Sequence, residues 1–379
     1  MLPSLISRLL LTGSMSAMLL ASAPGHAEHY DERAEVRQFM EGLSEKEAIP
    51  LDWLLKAARG ASYSAVSERL TTPKTGQSIR ITHEKNFLKY SRRLLSPDRV
   101  VRGLAFVEAN SDALLAMQER WGVSPFVVAA IIGVETNYGR TMGRSRELDV
   151  LMTLSFDYTR RAAFYKRELS AYLKYCWTQG IDPMDHHGSY AGALGLGQFM
   201  PTSALTYGTD GDGDGRIDLV DNPADAIASV ANFLKGHGWK ADTPALLRIK
   251  SGDEVMKKNL DGGIKTHTRI SALQKEGVEM LEVEAVDSDE PVLIVDIPWK
   301  NSDKKETTWY LGTTNFSSIL HYNRSYFYAT AVALLAERIE EAYKARGLTA
   351  LELPPNPDIT PPTRSQSDLK VHPDPKPRG

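Results

Sequence analysis

Apolar residues recur at three- and four-residue spacing through most of the chain between about residues 30 and 240. This is the period of amphipathic helices that bury one face, so we expect this part of the chain to be helical. Ser96-Pro97 and Ser124-Pro125 each place proline at the first helical position after an N-cap residue, which marks two helix starts. The predicted helices are 36–43, 51–58, 99–121, 164–178 and 223–236.

From about residue 246 to residue 312 the pattern changes to short segments rich in β-branched residues, separated by Gly, Asp and Pro. Such segments are typical of strands. We therefore expect a small β-rich insertion here, followed by closing helices over about 313–346, where Ala and Leu recur on one face. The predicted strands are 246–249, 266–270, 278–283 and 292–297, with a further one at 309–311.

The two ends of the chain have the composition of segments outside the folded part. Residues 1–27 combine Arg8, a short apolar run and an Ala-rich exit, the pattern of a signal peptide cleaved after Ala23 or after Ala27. The apolar run is shorter than the ~20 residues that a membrane span needs. Residues 353–379 are rich in Pro and poor in large apolar residues, so we expect a disordered tail.

Composition narrows the expected location and partners of the protein. The net charge of the 379-residue chain is −3 and no basic block stands out, which argues against a nucleic-acid partner. Cys176 is the only cysteine, so we expect no intramolecular disulfide and no lipid anchor on a cysteine near the signal. No later segment is apolar enough for a transmembrane helix. We expect a soluble periplasmic protein in which Cys176 is a buried, small hydrophobic residue.

Glu135 is the clearest candidate for catalysis. The helix that begins at Pro125 buries Val128, Ile131 and Ile132 on one face, and Glu135 is the next residue on that stripe. Glu is rarely buried without a partner, and desolvation raises the pKa of a carboxyl group. A raised pKa suits a general acid that works near neutral pH.

The position of Glu135 along its helix favours the same interpretation. Gly139 is expected to end the helix, and the negative end of the helix dipole disfavours additional negative charge in the last turn. The alternative is a structural Glu paired with Arg140 or Arg144. The pattern alone does not decide between a catalytic and a structural carboxylate.

A Gly-rich segment at 188–208, GSYAGALGLGQFMPTSALTYG, is a second candidate for binding. Glycine lets the backbone approach a ligand closely, and Gln and aromatic side chains bind sugar hydroxyls and ring faces. A tight connection between two helices is the simpler alternative. On its own, the segment is a weak indication.

Several long motifs occur in a fixed order: GVETNYGR, TLSFDYTRRAAFY, GSYAGALGLGQFMPTS, NPADAIASVANFLKGHGW and HYNRSYFYATAVALLAERI. Together they resemble the lytic murein transglycosylase B family, in a soluble rather than lipid-anchored form, over about residues 35–345. The resemblance implies a mainly α fold, with a lysozyme-like helical catalytic core, an additional helical domain and a small β-rich portion. The lytic transglycosylase region would then span 28–345.

The resemblance also implies an activity. Family members cleave the MurNAc-β-1,4-GlcNAc bond of peptidoglycan and leave a 1,6-anhydro ring on MurNAc, for cell-wall remodelling or turnover. Glu135 would protonate the leaving oxygen and then, as a base, take the proton from the MurNAc O6 that attacks C1. One carboxylate suffices, because the substrate acetamide can assist and O6 is already tethered to the ring.

The same resemblance implies the partners and a set of substrate-binding residues. The partners are glycan strands with stem peptides, together with proteins of wall synthesis or lysis; we expect a monomer without an organic cofactor. Each implied residue also has an ordinary alternative, since an arginine pair is often a solvated helix face and a tyrosine is often half-buried core. The residues are Ser189, Gln198 and Asn323 for the reacting sugar, Tyr90, Tyr322 and Tyr328 for an aromatic groove, and Arg160 and Arg161 for stem-peptide carboxylates.

Asp210, Asp212 and Asp214 have the spacing of an EF-hand loop, with Gly215 at the sixth position and the backbone carbonyl of Arg216 at the seventh. This pattern predicts a Ca²⁺ site, against the alternative of a generic acidic turn. We expect the ion to be structural, because no catalytic step needs a cation.

The ligand that closes this loop stays open. Asp221 stands at the twelfth position and is one methylene shorter than the usual Glu. In the family a later Asp closes the site, and Asp225 is the nearest match.

Two other functions remain open at this point. A hydrolytic muramidase would use the same fold and the same Glu135 with water as the acceptor. A non-catalytic, calcium-dependent peptidoglycan-binding protein would use the loop and the groove without cleavage.

Overall fold

The computed structural model describes residues 29–72, 85–281 and 286–347. The predicted signal peptide at 1–27 and the Pro-rich tail at 353–379 lie outside these ranges. Within them, none of the helices combines the length and apolar character needed to cross a bilayer. The chain divides into two compact units, Met1–Ser62 and Tyr63–Gly379.

The first unit is a small helical unit. A 3-10 helix (Tyr30–Glu32) is followed by α1 (Ala34–Glu47) and α2 (Leu51–Gly60). The buried side chains Val36, Met40 and Leu43 recur at the helical period along α1, as the sequence predicts.

The second unit holds the remaining helices. Those predicted at 164–178 and 223–236 are confirmed with bounds close to the prediction. The helices are α3 (Ala65–Thr71), α4 (Phe87–Ser91), α5 (Pro97–Ala109), α6 (Ser111–Trp121), α7 (Pro125–Thr136), α8 (Glu147–Phe156), α9 (Ala162–Gln179), α10 (Pro201–Tyr207), α11 (Pro223–Gly236), α12 (Asp253–Asn259), α13 (Ile270–Lys275), α14 (Thr314–Tyr322) and α15 (Tyr326–Lys344).

The prediction of one continuous helix over 99–121 is wrong. The segment forms two helices, α5 and α6, which meet at Asn110. The side-chain Nδ2 of Asn110 donates to the carbonyl of Phe106 at 2.8 Å, and its backbone N–H donates to the same carbonyl. Because Asn offers the backbone such a local alternative, it ends one helix and begins the next.

The β-rich region forms one antiparallel five-stranded sheet in the order β4-β6-β7-β3-β5. The hairpin of β6 and β7 dominates it, and both of these strands are longer than predicted. The strand predicted at 266–270 shrinks to two residues, because Ile270 already begins α13. Of the strand predicted at 278–283, Glu279–Met280 forms β5, and residues 282–283 lie outside the described ranges. The strands are β3 (Leu246–Lys250), β4 (Thr268–Arg269), β5 (Glu279–Met280), β6 (Pro291–Lys300) and β7 (Lys305–Gly312); a separate pair is β1 (Ser145–Arg146) with β2 (His187–Gly188).

Helix α7 lies at the centre of the second unit. It packs against α15, α5, α11 and α6, and every residue from 127 to 133 is buried. A helix surrounded on all sides is apolar on all sides. The apolar stripe predicted from Val128, Ile131 and Ile132 is therefore part of a wider buried surface, and the C-terminal turn of α7 brings Glu135 to its edge.

Candidate active site

Glu135 lies in the last turn of α7, as the sequence predicts, but the helix ends earlier than expected. Thr136 is its last residue, and Asn137 caps it in the left-handed conformation with φ 54°. Asn tolerates this conformation better than most residues, which is why the helix stops before Gly139. Glu135 is therefore held next to a fixed helix end.

The environment of Glu135 keeps its proton to an unusually high pH. The side chain is half-buried, and the hydroxyl of Tyr328 donates a hydrogen bond of 2.6 Å to its Oε1. Burial raises the pKa of Glu135 from 4.5 to about 7, while the Tyr328 hydrogen bond acts in the opposite direction. Within the described part of the chain no Arg or Lys forms an ion pair with Glu135, so the pairing with Arg140 or Arg144 is not formed.

Tyr138 fixes the end of α7 against α5, a contact that sequence reasoning missed. Its backbone is left-handed, with φ 59°. Its hydroxyl occupies the space left by Gly103 and Gly133, since a Cβ on either glycine would lie 2.5 Å from that oxygen. The guanidinium of Arg99 also donates to the carbonyl of Gly133. Two glycines on separate helices can be recognised as the space for a tyrosine hydroxyl only when it is known that these helices pack together.

The Gly-rich segment folds into a sequence of tight turns beside α7. Pairing of β1 with β2 sets Gly188 opposite Ser145. The Ser189 Oγ then accepts backbone N–H groups from Ala191 at 3.2 Å and from Ala193 at 3.0 Å. Both bonds use the oxygen as acceptor, so the hydroxyl proton of Ser189 remains the group that can donate to a ligand.

Three side chains, Thr136, Gln198 and Tyr322, tie this segment to the surroundings of Glu135. Thr136 Oγ1 donates to the carbonyl of Leu196 at 2.9 Å. Gln198 Nε2 donates to the carbonyl of Met142 at 3.1 Å and to that of Gly195 at 3.0 Å. Because its two amide protons are used in this way, Oε1 is the part of Gln198 left to bind a ligand.

The third of these side chains is Tyr322, whose hydroxyl donates to the carbonyl of Gly197 at 2.5 Å. A Cβ on Gly197 would lie 2.9 Å from that hydroxyl and 2.7 Å from the ring of Phe199. Glycine at this position therefore permits the close approach, and Tyr322 supports the backbone next to Gln198. Sequence reasoning named Tyr322 as a groove residue and missed the role of Gly197.

The three predicted groove tyrosines differ in exposure. Tyr90 is 40% exposed and its ring lies 5.5 Å from that of Phe327, so it keeps an open face for a sugar ring. Burial and the negative charge of Glu135 raise the pKa of Tyr90, which places the two residues near each other. Tyr322 is half-buried and Tyr328 is 3% exposed. Tyr328 therefore acts on Glu135 directly rather than as a groove surface.

The other predicted substrate residues are at the surface. Asn323 caps the end of α14 and is exposed. Arg160 and Arg161 are exposed just before α9, with the Arg161 guanidinium 4.2 Å from the ring centroid of Phe164. Among the described residues neither arginine bonds to Glu135.

The acidic residues nearby in sequence do not supply a second catalytic carboxylate. Glu147 is 0% and Glu168 is 3% exposed, so neither can reach a glycan. Asp149 forms an ion pair with Arg146 at 2.7 Å. Glu147, Glu168 and Asp149 are therefore not available to act as a second acid beside Glu135.

The acidic loop gathers three of its predicted ligands. One carboxylate oxygen from each of Asp210, Asp212 and Asp214 lies within 4.8 Å of the other two. This hard oxygen set fits Ca²⁺. The backbone N–H of Gly215 donates to Asp210, and that of Arg216 donates to Asp214, so the chain winds around the carboxylates.

The two candidate closing residues lie outside this group of three. Asp225 is fully buried, and its two oxygens accept the backbone N–H groups of Gly211 at 2.7 Å and of Asp218 at 2.6 Å. It therefore connects the two ends of the loop. Asp221 is exposed, and its backbone N–H donates to Asp218.

Comparison with known proteins agrees with this geometry. The model of the transglycosylase SLT domain family matches residues 31–337. Membrane-bound lytic murein transglycosylase B of Escherichia coli is 39% identical over 254 residues, which are 67% of this chain and 67% of that protein.

Solved structures extend the similarity to the fold. Catenated lytic transglycosylase SltB1 of Pseudomonas aeruginosa has a TM-score of 0.74 and 32% identity, covering 83% of this chain and 99% of its own. Lytic transglycosylase Slt35 of Escherichia coli in complex with calcium has a TM-score of 0.68 and 33% identity, covering 81% and 92%. The predicted mainly α, lysozyme-like fold with a small β portion is confirmed. The chain belongs to the transglycosylase SLT domain family, as its motifs predict, and is an enzyme of the lytic transglycosylase class.

Proposed function

We propose that the protein cleaves the MurNAc-β-1,4-GlcNAc bond of peptidoglycan with Glu135 as the only catalytic carboxyl group, forming 1,6-anhydro-MurNAc ends. The observation that carries this proposal is the half-buried Glu135, whose pKa of about 7 keeps a large fraction of the carboxyl groups protonated near neutral pH. Family membership supports the reaction class, and the names of the relatives support murein as the substrate.

Glu135 acts twice in the proposed reaction. It first donates its proton to the glycosidic oxygen, so the C1–O bond of MurNAc breaks and the GlcNAc unit leaves with a hydroxyl group at C4. The carboxylate that remains then removes the proton of the MurNAc O6 hydroxyl, and O6 bonds to C1. The proton taken from O6 replaces the one given to the leaving group, so Glu135 is again protonated.

A single carboxyl group is sufficient for this reaction. Glycosidases that use water or a protein nucleophile place a second carboxylate across the bond. Here the acetamide of the sugar can stabilise the cationic C1, and O6 belongs to the same ring, which lowers the entropic cost of its attack. The burial of Glu147 and Glu168 supports a reaction of this kind.

Polar groups beside Glu135 would position the reacting sugar. We assign the free hydroxyl proton of Ser189 to an acceptor such as the acetamide carbonyl, and Oε1 of Gln198 to a sugar hydroxyl or N–H. Tyr90 would contact a ring face, and Asn323 would bind from the end of α14. Arg160 and Arg161 would meet carboxylates of the stem peptide from the solvent-exposed side.

Calcium would stabilise the loop that follows α10. Asp210, Asp212 and Asp214 would hold the ion with the carbonyl of Arg216, and Asp225 would keep the two ends of the loop together. The ion would supply fixed positive charge to the loop and take no part in proton transfer. The relative Slt35, whose structure contains calcium, supports this proposal.

The proposed site of action is the periplasm. The pattern of residues 1–27 supports export, since its apolar run is bracketed by a basic start and Ala-rich exit. Cell fractionation followed by N-terminal sequencing would test this, and a mature protein that still begins at Met1 would contradict it.

Glu135→Gln tests the catalytic assignment. The amide keeps the shape of the side chain but cannot supply a proton, so turnover of isolated sacculi should fall by at least about 10³-fold while binding of a GlcNAc–MurNAc oligosaccharide persists. Glu119→Gln, at an exposed glutamate of α6, is the matched control and should retain activity. Unchanged turnover in Glu135→Gln would contradict the proposal, and wild-type protein that binds glycan without any turnover would favour the non-catalytic binding protein.

A further inference from the structure

Glu147 is a buried carboxyl group that the reaction above does not use. It is the first residue of α8, directly after β1, and it is 0% exposed. Neither of its carboxylate oxygens has a hydrogen-bond partner among the residues that the structure describes. An unpartnered carboxylate in a protein interior is costly, so this environment favours the neutral carboxylic acid.

The carboxyl group lies directly beneath the turn that carries Ser189. A Cβ on Gly188 would be 2.5 Å from Glu147 Oε2, and a Cβ on Gly192 would be 3.3 Å from Oε1. The side chain therefore fills the space that these two glycines leave open. The backbone N–H of Glu147 also donates to the carbonyl of His186 at 2.9 Å, which links the start of α8 to the strand leading into the turn.

Among the described residues, no group that faces Glu147 from α9 offers it a compensating charge. Glu168, Tyr172 and Cys176 face it from α9, and burial holds the pKa of Cys176 up at about 12, so it stays a thiol. Glu168 adds negative charge and is itself bound by the backbone N–H and the hydroxyl of Thr202.

The groups outside α9 do not neutralise Glu147 either. Burial lowers the pKa of His186, whose ring lies against Tyr172 and Tyr175 and remains neutral. The guanidinium of the preceding residue, Arg146, is paired with Asp149. Burial first, and Glu168 second, raise the pKa of Glu147 from 4.5 to about 8.

We propose that Glu147 is a positioning residue which, as a neutral carboxylic acid, supports the turn of Gly188 to Ala193 and thereby holds Ser189 in its ligand-binding conformation. This inference rests on the role proposed above for Ser189. Removal of the proton leaves a carboxylate that needs water, and water can reach it only if the turn moves away. The affinity of the site for glycan therefore falls as pH rises past about 8.

The decisive experiment removes the titration of Glu135 first. Binding of a GlcNAc–MurNAc tetrasaccharide is measured by calorimetry at pH 6 and pH 9 in full-length Glu135→Gln and in the double variant Glu135→Gln/Glu147→Gln. The affinity of the single variant should fall about five- to tenfold at pH 9, the worth of one hydrogen bond. The double variant should show no such fall, because an amide cannot ionise. Glu135→Gln/Glu119→Gln is the control and should behave like the single variant.

Thermal stability gives a second measurement that needs no ligand. The unfolded chain loses the Glu147 proton near pH 4.5, whereas the folded protein keeps it to about pH 8, so the wild type loses stability as pH rises through this window. The melting temperature of Glu147→Gln relative to wild type should therefore rise between pH 5 and pH 8.5. If the amide itself disrupts the fold, Glu147→Met replaces it. Met is apolar and of similar length, and this variant should show the same trend.

The outcomes separate the two proposals. An equal loss of affinity at pH 9 in the single and double variants, or no loss in either, overturns the role of Glu147 while leaving the function of the site intact. Glu135→Gln protein that binds no glycan at either pH overturns the binding role proposed for the site, and the inference with it. A melting-temperature difference that is constant with pH overturns the assignment of Glu147 as a neutral carboxylic acid in the folded protein.

Discussion

At the scale of single residues, Glu135 is shaped by two opposing influences. Burial at the edge of α7 favours its neutral form, and the hydroxyl of Tyr328 favours the charged form. The balance places the pKa of Glu135 at about 7, so that the group can both give and recover a proton near neutral pH. With burial alone Glu135 would be a weaker acid, and with the hydrogen bond alone it would be a weaker base, so one of the two proton transfers would suffer.

Tyr328→Phe should therefore shift the pH dependence of turnover. Loss of the donated hydrogen bond removes stabilisation of the carboxylate, so the pKa of Glu135 rises further and the limb of the kcat profile that it controls moves to higher pH. At pH 7, kcat/KM should fall about 10- to 100-fold, the worth of a hydrogen bond to a charged group. Tyr326→Phe, on the same helix but bonded to the carbonyl of Gly263, is the control. An unchanged pH profile in Tyr328→Phe would contradict this account.

The same raised pKa predicts a stability effect. The unfolded chain releases the Glu135 proton near pH 4.5 and the folded protein near pH 7, so the wild type loses stability as pH rises between these values. Glu135→Gln cannot titrate. Its free energy of unfolding relative to wild type should increase by on the order of 2 kcal/mol from pH 4 to pH 8, after allowance for partial exposure. Urea denaturation at the two pH values measures this, and a constant difference would rule it out.

Sequence reasoning could identify Glu135 but not its hydrogen-bond donor. The apolar stripe of α7 is a local periodic pattern, and it was enough to single out one carboxyl group. Tyr328 is 193 positions away along the chain, and only the packing of α15 against α7 brings the two together. The same holds for Tyr138 and its two glycines, because their fit depends on which helices pack.

At the scale of elements, the site depends on bonds that join α7 to the Gly-rich segment. Thr136 is the clearest of them, since its hydroxyl donates to Leu196 and also accepts the N–H of Gly139 at 3.1 Å. It fixes the end of α7 and the backbone close to Gln198 at once. The periodicity of the sequence predicted both segments but could not show that one side chain joins them.

Thr136→Val should lower both stability and activity. The change leaves the buried carbonyl of Leu196 and the partly buried N–H of Gly139 without this partner, which costs about 1–3 kcal/mol, and kcat should fall because Glu135 is one residue away. Thr330→Val is a matched control in α15, because the buried hydroxyl of Thr330 has no partner among the described residues. Denaturation and turnover assays of both variants test this. Equal stability of the two variants would contradict the linking role of Thr136.

The acidic loop leads to a prediction for metal removal. Without Ca²⁺, the gathered carboxylates of Asp210, Asp212 and Asp214 repel one another, so chelation should lower the melting temperature and reduce turnover together. Asp214→Asn should weaken the response to added Ca²⁺, whereas Asp112→Asn, at an exposed residue of α6, should not. If chelation changes neither melting temperature nor turnover, the loop has no structural calcium.

The elements also show where the sequence pattern misled. The strands at 266–270 and 278–283 were predicted from β-branched residues, yet within the described residues they form only two residue pairs each, at the edges of the sheet. A strand extends only as far as its partner strand provides hydrogen bonds. β6 and β7 pair mainly with each other, which leaves short partner segments for the other strands. The residue types of a segment do not show how much of a partner strand is available to it.

At the scale of the whole molecule, the family motifs predicted more of the fold and the function than local hydrophobic patterns could. Five long segments in a fixed order are spread over most of the chain, and the matched family model covers residues 31–337. Local periodicity alone predicts a mainly helical protein with a β insertion, which is shared by many unrelated folds. The arrangement of a central α7, a Gly-rich turn and two tyrosines around one carboxyl group follows from packing over the whole second unit.

The measurement that tests the central claim most directly is mass spectrometry of purified sacculi digested by the wild-type protein. Attack by the internal O6 should give muropeptides with 1,6-anhydro-MurNAc ends, about 18 Da (one water) lighter than hydrolysed ends. Products with reducing MurNAc ends instead would identify a hydrolytic muramidase and contradict the account of Glu135 as acid and then base for O6.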